Sequence, residues 1–271
     1  MWNPGNQFIR AAMVPILCLS LAPGIAAETK SVEQHCEAIR TRYAIQADTA
    51  PGFPVKCHYG AIDGAVASPA ELQPYLDFFV DEFCRYPPEL IARTKLKRVV
   101  FCKRLAFDGQ LRNAIPDYEH DTLYYDVSRG SHSRDYRRSV IHHEFFHVID
   151  YQDDGDVYRD DRWTKMLPGD FRYGRGGRES QNDSKMSLFN ESVPGFLTHY
   201  ATTGVEEDKA ELFAHMIINP AYVAERSARE PLLQVKVDRM KTLLSEFCPR
   251  MDADFWRETE LRARSAAPPA P

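Results

Sequence analysis

The sequence predicts an α+β fold: a small sheet, then one long helix, then a mainly helical second half. Three observations predict it. Residues 96–102 and 122–127 concentrate β-branched, aromatic and other apolar side chains, as buried strands do. Residues 136–151 contain neither glycine nor proline and read as one unbroken helix. Beyond residue 206, apolar positions recur mainly at helical spacing.

In chain order, residues 1–27 are expected to be a secretory signal peptide. Arg10 gives the basic start, 11–22 the short apolar stretch, and Gly24-Ile25-Ala26-Ala27 the small residues for cleavage. That stretch is too short to span a bilayer, and no later segment reaches spanning length. Cys18 follows Leu17, a bulky residue where lipid attachment wants a small one. The mature chain is therefore expected to be secreted or periplasmic, without stable membrane insertion. Residues 70–84 place Leu72, Tyr75, Leu76, Phe79 and Phe83 on one helical face, with Pro74 expected in the first turn, and Pro87-Pro88 ends the helix. The strands follow, carried by Val99, Val100 and Phe101 and by Leu123, Tyr124 and Tyr125. After the long helix, residues 231–248 repeat Leu232, Leu233, Val235, Val237, Met240, Leu243 and Leu244 as a helix, and 251–264 add another. Residues 265–271, small side chains and proline, are expected to be a disordered tail.

At 271 residues and 44% hydrophobic, the chain can bury one core, so 28–264 reads as a single domain. A net charge of -5 excludes the nucleic-acid binders, which need a basic surface. Cys36, Cys57, Cys84, Cys102 and Cys248 remain after the signal, an odd number with no Cys-x-x-Cys spacing. In an oxidising compartment, nearness in sequence favours the pairs Cys36–Cys57 and Cys84–Cys102.

The chemistry is concentrated in His143-Glu144-Phe145-Phe146-His147. Residues four apart on a helix lie one above the other, so two imidazoles can face one metal ion with Glu144 beside them. Ile141, Phe145 and Val148 cluster on another side as the core face. Neutral imidazoles suit zinc, which in catalytic sites keeps three protein ligands and one activated water. Glu144 is the general base for that water. His142 points about 100° away and reads as a hydrogen-bonded supporting residue. Asp150, three residues after His147, is placed to orient a ligand imidazole.

The third ligand is less direct. One pattern would place a glycine and a histidine three and six residues after His147, but Asp150 and Asp153 stand there; Asp153 itself is a minor candidate. Glu206-Glu207-Asp208-Lys209-Ala210-Glu211-Leu212-Phe213-Ala214 reads as a second helix with acids in its first turn. Its buried stripe is Ala210, Phe213, Ala214 and Ile217, and Glu211 adjoins that stripe. Glu211 is the favoured ligand, and Glu207, on a similar face, the fallback. Glu206 and Asp208 read as solvated charges, and His215 as a satisfied core histidine. The acidic loop at Asp153, Asp154, Asp156, Asp160 and Asp161 lacks EF-hand spacing and reads as solvated. Arg172, Arg175 and Arg178 among Gly174, Gly176 and Gly177 read as a flexible surface loop.

The run from Val140 to His147, with Tyr200 and Glu207 to Ala214, resembles the secreted zinc metallopeptidases related to the catalytic domain of anthrax lethal factor, over about residues 96–218. The resemblance implies a zincin-like fold of the gluzincin type and one Zn2+. It implies Glu211 as third ligand, from the A-E-x-F-A segment, and Tyr200 as the residue that stabilises the transition state. It implies a peptide or protein substrate lying along an edge strand, for which 122–127 is the expected choice. Tyr200 lies further before Glu211 than in lethal factor, and the insert at 152–193 has no assigned counterpart. The implied activity is that of a secreted zinc endopeptidase. Its alternatives are an exported binding protein of the same fold without turnover, or a zinc hydrolase of a non-peptide amide.

Overall fold

The computed structural model describes residues 30–176, 186 and 188–266. Residues 1–27, the expected signal segment, Gly177 and Arg178 of the Gly/Arg loop, and residues 267–271 lie outside the described residues.

The strands are β1 (Gln46–Asp48), β2 (Val55–Cys57), β3 (Gly60–Ala65), β4 (Arg98–Phe107), β5 (Gln110–Leu111), β6 (Ala114–Asp117) and β7 (Thr122–Asp126). They form a mixed sheet in the order β2-β3-β4-β7-β6, with β1 and β5 also on β4. β4 runs parallel to β1 and β7 and antiparallel to β3 and β5. It is the hub of the sheet because both of its faces are covered. Val99 and Phe101 enter the main core with the helices, while Val100 and Cys102 enter a second core with Ile62, Leu105, Ile115 and Tyr124. That alternation is the period-two geometry of a strand, and burial on both faces explains the unbroken apolar run read in the sequence.

The two cores correct the expected disulfides. Cys36, Cys57, Cys84, Cys102 and Cys248 are all free thiols. Cys36 and Cys84 belong with the main core, whereas Cys57 and Cys102 belong with the second, so each expected pair is divided by the sheet. Nearness in sequence misled because β4 sends neighbouring side chains to opposite faces. The topology also corrects the choice of edge strand: β7 lies between β4 and β6, and β6 is the end of the sheet path.

Around the sheet lie α1 (Val32–Tyr43), α2 (Pro69–Phe83) and α3 (Pro88–Arg93), and after β7 comes α4 (Arg134–Asp154). Pro74 falls in the second turn of α2 rather than its first, and the helix continues through it. α4 is longer than the 136–151 stretch at both ends. The Ser133 side chain accepts from the Tyr136 N–H at its start, and Gly155 adopts a left-handed conformation, φ 83°, at its end. The Tyr125 hydroxyl donates to the Ile141 carbonyl at 2.9 Å, and Tyr118 stacks on Tyr151, so β7 and the β6–β7 turn hold α4. The second half comprises α5 (Asp161–Thr164), a 3-10 turn (Tyr200–Thr202), α6 (Val205–Ile218), α7 (Pro220–Arg229), α8 (Pro231–Phe247) and α9 (Ala253–Ala266). Residues 265 and 266 thus close a helix instead of starting a tail. No described helix is long and apolar enough to cross a membrane.

Every residue of α6 is buried, charged ones included. This corrects the reading of Glu206 and Asp208 as solvated. Buried charges must be paired, and Asp208 Oδ2 accepts from Lys236 Nζ at 2.7 Å, Trp163 Nε1 at 2.8 Å and the Tyr173 hydroxyl at 2.7 Å. Lys209 Nζ reaches Asp150 Oδ1 at 2.7 Å and Asp160 Oδ2 at 3.3 Å. Burial pushes the Lys236 pKa down, against the pull of Asp208. Asp208→Ala would leave the Lys236 ammonium without its carboxylate, and the expected loss is about 3–5 kcal/mol of unfolding free energy. Urea unfolding of the variant measures it; a loss below about 1 kcal/mol would show that the pair does not hold α6.

Candidate metal centre

α4 and α6 lie against each other, and their facing polar residues form the site. His143 and His147, one turn apart on α4, bring their Nε2 atoms to 3.1 Å. Glu207, from the first turn of α6, places Oε2 at 3.0 Å from His143 Nε2 and 3.6 Å from His147 Nε2. All three residues are buried, and together they are a group able to hold a metal ion.

The donor set fits zinc in geometry as well as in chemistry. A tetrahedral ion with bonds of about 2.0–2.1 Å holds its ligand atoms roughly 3.3 Å apart, and the separations of 3.0, 3.1 and 3.6 Å bracket that value. Glu207 Oε2 is moreover buried without a hydrogen-bond partner among the described residues. An orphaned carboxylate oxygen facing two imidazole nitrogens is costly unless a cation satisfies it.

Glu211 is buried at the same centre but on the other side of His143. Its Oε1 lies 2.8 Å from His143 Nδ1, and its Oε2 accepts from the Thr198 hydroxyl at 2.7 Å. Glu211 is thus not among the three converging donors, whereas Glu207, the fallback, is. The two acids, one turn apart, grip the two nitrogens of one imidazole. Glu211 faces Nδ1 of that ring, whereas its Nε2 faces His147 and Glu207. Asp153 is exposed on the surface and takes no part.

The electrostatics agree with this division. Burial alone would lower the His143 pKa, yet Glu207 and Glu211 raise it well above its ordinary value. Burial would raise both carboxylates, yet His143, joined at Glu207 by His147, holds them below their usual range. Two carboxylates on one ring thus call for positive charge at this point. Glu144, on the neighbouring arc of α4, is partly buried; burial raises its pKa, while the nearby His143 and His147 pull it down. Tyr200 packs its ring 5.8 Å from that of His143 and donates its hydroxyl to Glu207 Oε1 at 2.8 Å. Burial and then Glu207 raise its pKa well above the ordinary value.

The supporting residues fall into two kinds. His142 takes the role its helical position indicates: its Nδ1 meets the Tyr86 hydroxyl at 2.6 Å and its Nε2 meets Glu82 at 3.0 Å, and burial lowers its pKa to about 4. Asp150 is engaged by Lys209 rather than by an imidazole, and its Oδ2 and His147 Nδ1 both lack a hydrogen-bond partner among the described residues. His215 stands 3.9 Å from Glu211 and contacts Asn219, as a core histidine would. Sequence reasoning missed Thr198, Glu82 and Lys209, because each acts across more than forty residues of chain or from a loop. The signal for Glu207 was present in the spacing Glu207-x-x-x-Glu211.

No family model matches the chain, and no curated protein matches it either. Among solved structures it is similar to a "putative zinc-binding metallo-peptidase" from Bacteroides caccae, with a TM-score of 0.56 and 17% identity, over 88% of this chain and 94% of that one. At that identity the likeness shows a shared fold.

Proposed function

We propose that the protein is a zinc-dependent peptidase, exported by its first 27 residues. The observation that carries this reading is the convergence of His143 Nε2, His147 Nε2 and Glu207 Oε2 beside Glu144. The Bacteroides caccae protein of similar fold supports it. His143, His147 and Glu207 would hold one zinc ion, with Glu211 orienting His143. Bound zinc supplies a Lewis acid that polarises a carbonyl and makes water nucleophilic near neutral pH.

Glu144 accepts the proton of the attacking water and passes it to the leaving amine. Its partial burial beside two imidazoles suits a base that must take a proton and release it. Tyr200 donates a hydrogen bond to the developing oxyanion once its hydroxyl turns from Glu207. The substrate lies along β6. Asp126 N donates to Asn113 O, and Ile115 and Asp117 pair with Tyr124 and Thr122, so Ala114 and Pro116 direct their backbone groups away from β7. Among the described residues no strand covers that side. Pro116 forfeits no ladder bond there, since its missing N–H would point outward. Ala114 N–H, Ala114 C=O and Pro116 C=O are left to pair with an extended peptide.

Digestion of a peptide library by the zinc-loaded chain tests the reading. Cleavage is expected that stops with chelator and returns with zinc. Stoichiometric zinc without any cleavage would favour a binding protein, and cleavage confined to non-peptide amides the other hydrolase. Tyr200→Phe is expected to lower kcat by about 10²–10³-fold, the size of one lost oxyanion donor, with zinc content retained. An unchanged kcat would remove Tyr200 from the mechanism.

A further inference from the structure

A second set of metal-ligating side chains lies apart from the His143 centre. Cys57 ends β2, Asp117 ends β6, and His120 sits in the turn to β7; one donor atom from each lies within 4.8 Å of the other two. Cys57 is 60 residues from Asp117 and 63 from His120 in sequence, so the fold brings them together where the β2–β3 hairpin covers the second core. Asp117 is buried and tightly placed. Its Oδ1 accepts from the N–H groups of Glu119 and His120 at 3.2 and 3.1 Å, and its Oδ2 lies 2.8 Å from His120 Nδ1. The same two segments meet again where the His58 N–H donates to Glu119 Oε2 at 2.7 Å. Burial, then the charges of Asp117 and Glu119, push the Cys57 thiol up to about 11. Among the described residues, no lysine or arginine ion-pairs with either carboxylate.

A thiol, an imidazole and a carboxylate on one point, with an acidic neighbour and no fixed cation, are a donor set for zinc. We propose that Cys57, Asp117 and His120 bind a second zinc ion that clips the β2–β3 hairpin to the β6–β7 turn. On binding, Cys57 gives its proton to solvent and coordinates as thiolate. His120 moves its ring proton to the exposed Nε2 and coordinates through Nδ1. Asp117 exchanges its hydrogen bond to His120 for the ion, and water completes the shell. The ion would fix the far end of β6 and hold the hairpin over the second core.

The test is metal content of the full chain, purified under reducing conditions and loaded with zinc. The wild type is expected to hold a second equivalent beyond that at His143 and His147. His120→Ala, which alters an exposed side chain, and Cys57→Ser are each expected to lose one equivalent, with circular dichroism confirming that both variants fold. His143→Ala/His147→Ala is expected to retain one. Cobalt loaded into that double variant should give a thiolate-to-cobalt charge-transfer band that Cys57→Ser removes. One equivalent in the wild type, unchanged by His120→Ala, with no charge-transfer band on cobalt loading, would overturn the proposal while leaving the His143 centre intact.

Discussion

Glu207→Ala is expected to strip zinc from the His143 centre and abolish hydrolysis, whereas Glu211→Ala is expected to keep the metal with about 10–100-fold weaker affinity. The contrast follows from which imidazole nitrogen each acid faces. Glu207 Oε2 faces both Nε2 atoms that would bind the ion, at 3.0 and 3.6 Å, so its loss removes one of three ligands. Glu211 contacts Nδ1, so its loss frees the ring to rotate and change tautomer but leaves the three donors in place. Competition with a chromophoric chelator measures both affinities. The reverse order, with Glu211→Ala the metal-free variant, would restore Glu211 as the ligand. Circular dichroism on both variants separates loss of metal from loss of α6.

Glu144→Gln is expected to bind zinc as the wild type does and to lose about 10²–10⁴-fold in kcat, the usual contribution of a general base. Glutamine keeps the shape and burial of the side chain and removes only its ability to accept the proton. Glu144 is not among the converging donors, so nothing in the metal cradle changes. Comparing kcat at equal zinc occupancy makes the measurement. Undiminished turnover in Glu144→Gln would end the assignment of the base.

Much of this site could be read in the sequence because it is written locally. His143, Glu144 and His147 sit within one helical turn, and helix periodicity alone puts them on one arc. The HExxH helix, the strands of residues 96–102 and 122–127 and the helical second half were legible for the same reason. What was not legible depends on contacts between distant segments. The choice between Glu207 and Glu211 turns on the rotation of α6 about its axis, which a pattern of buried residues fixes poorly when the whole helix is buried. The acids at 206 and 208 looked solvated because a helix start is ordinarily exposed; the partners of Asp208, including Lys236 and Trp163, lie on other elements. β6 escaped notice because four residues with a central proline make a weak strand signal, yet a proline with an outward nitrogen suits the rim of a sheet.

The full burial of α6 has a consequence for the precision of the metal centre. A helix packed only by apolar side chains can turn or slide a little at small cost. α6 instead carries polar groups in several directions, each tied to a different element: Glu207 and Glu211 to His143 of α4, Lys209 to Asp150 of α4 and Asp160, and Asp208 to Lys236 of α8 and to Trp163 and Tyr173. A small rotation that relieved one tie would strain the others at once. The helix works like a key with teeth on every side, admitted in one orientation only. The charges that make its interior expensive also set where Glu207 stands relative to the histidines, so the accuracy of the ligand cradle is distributed over residues that never approach the ion.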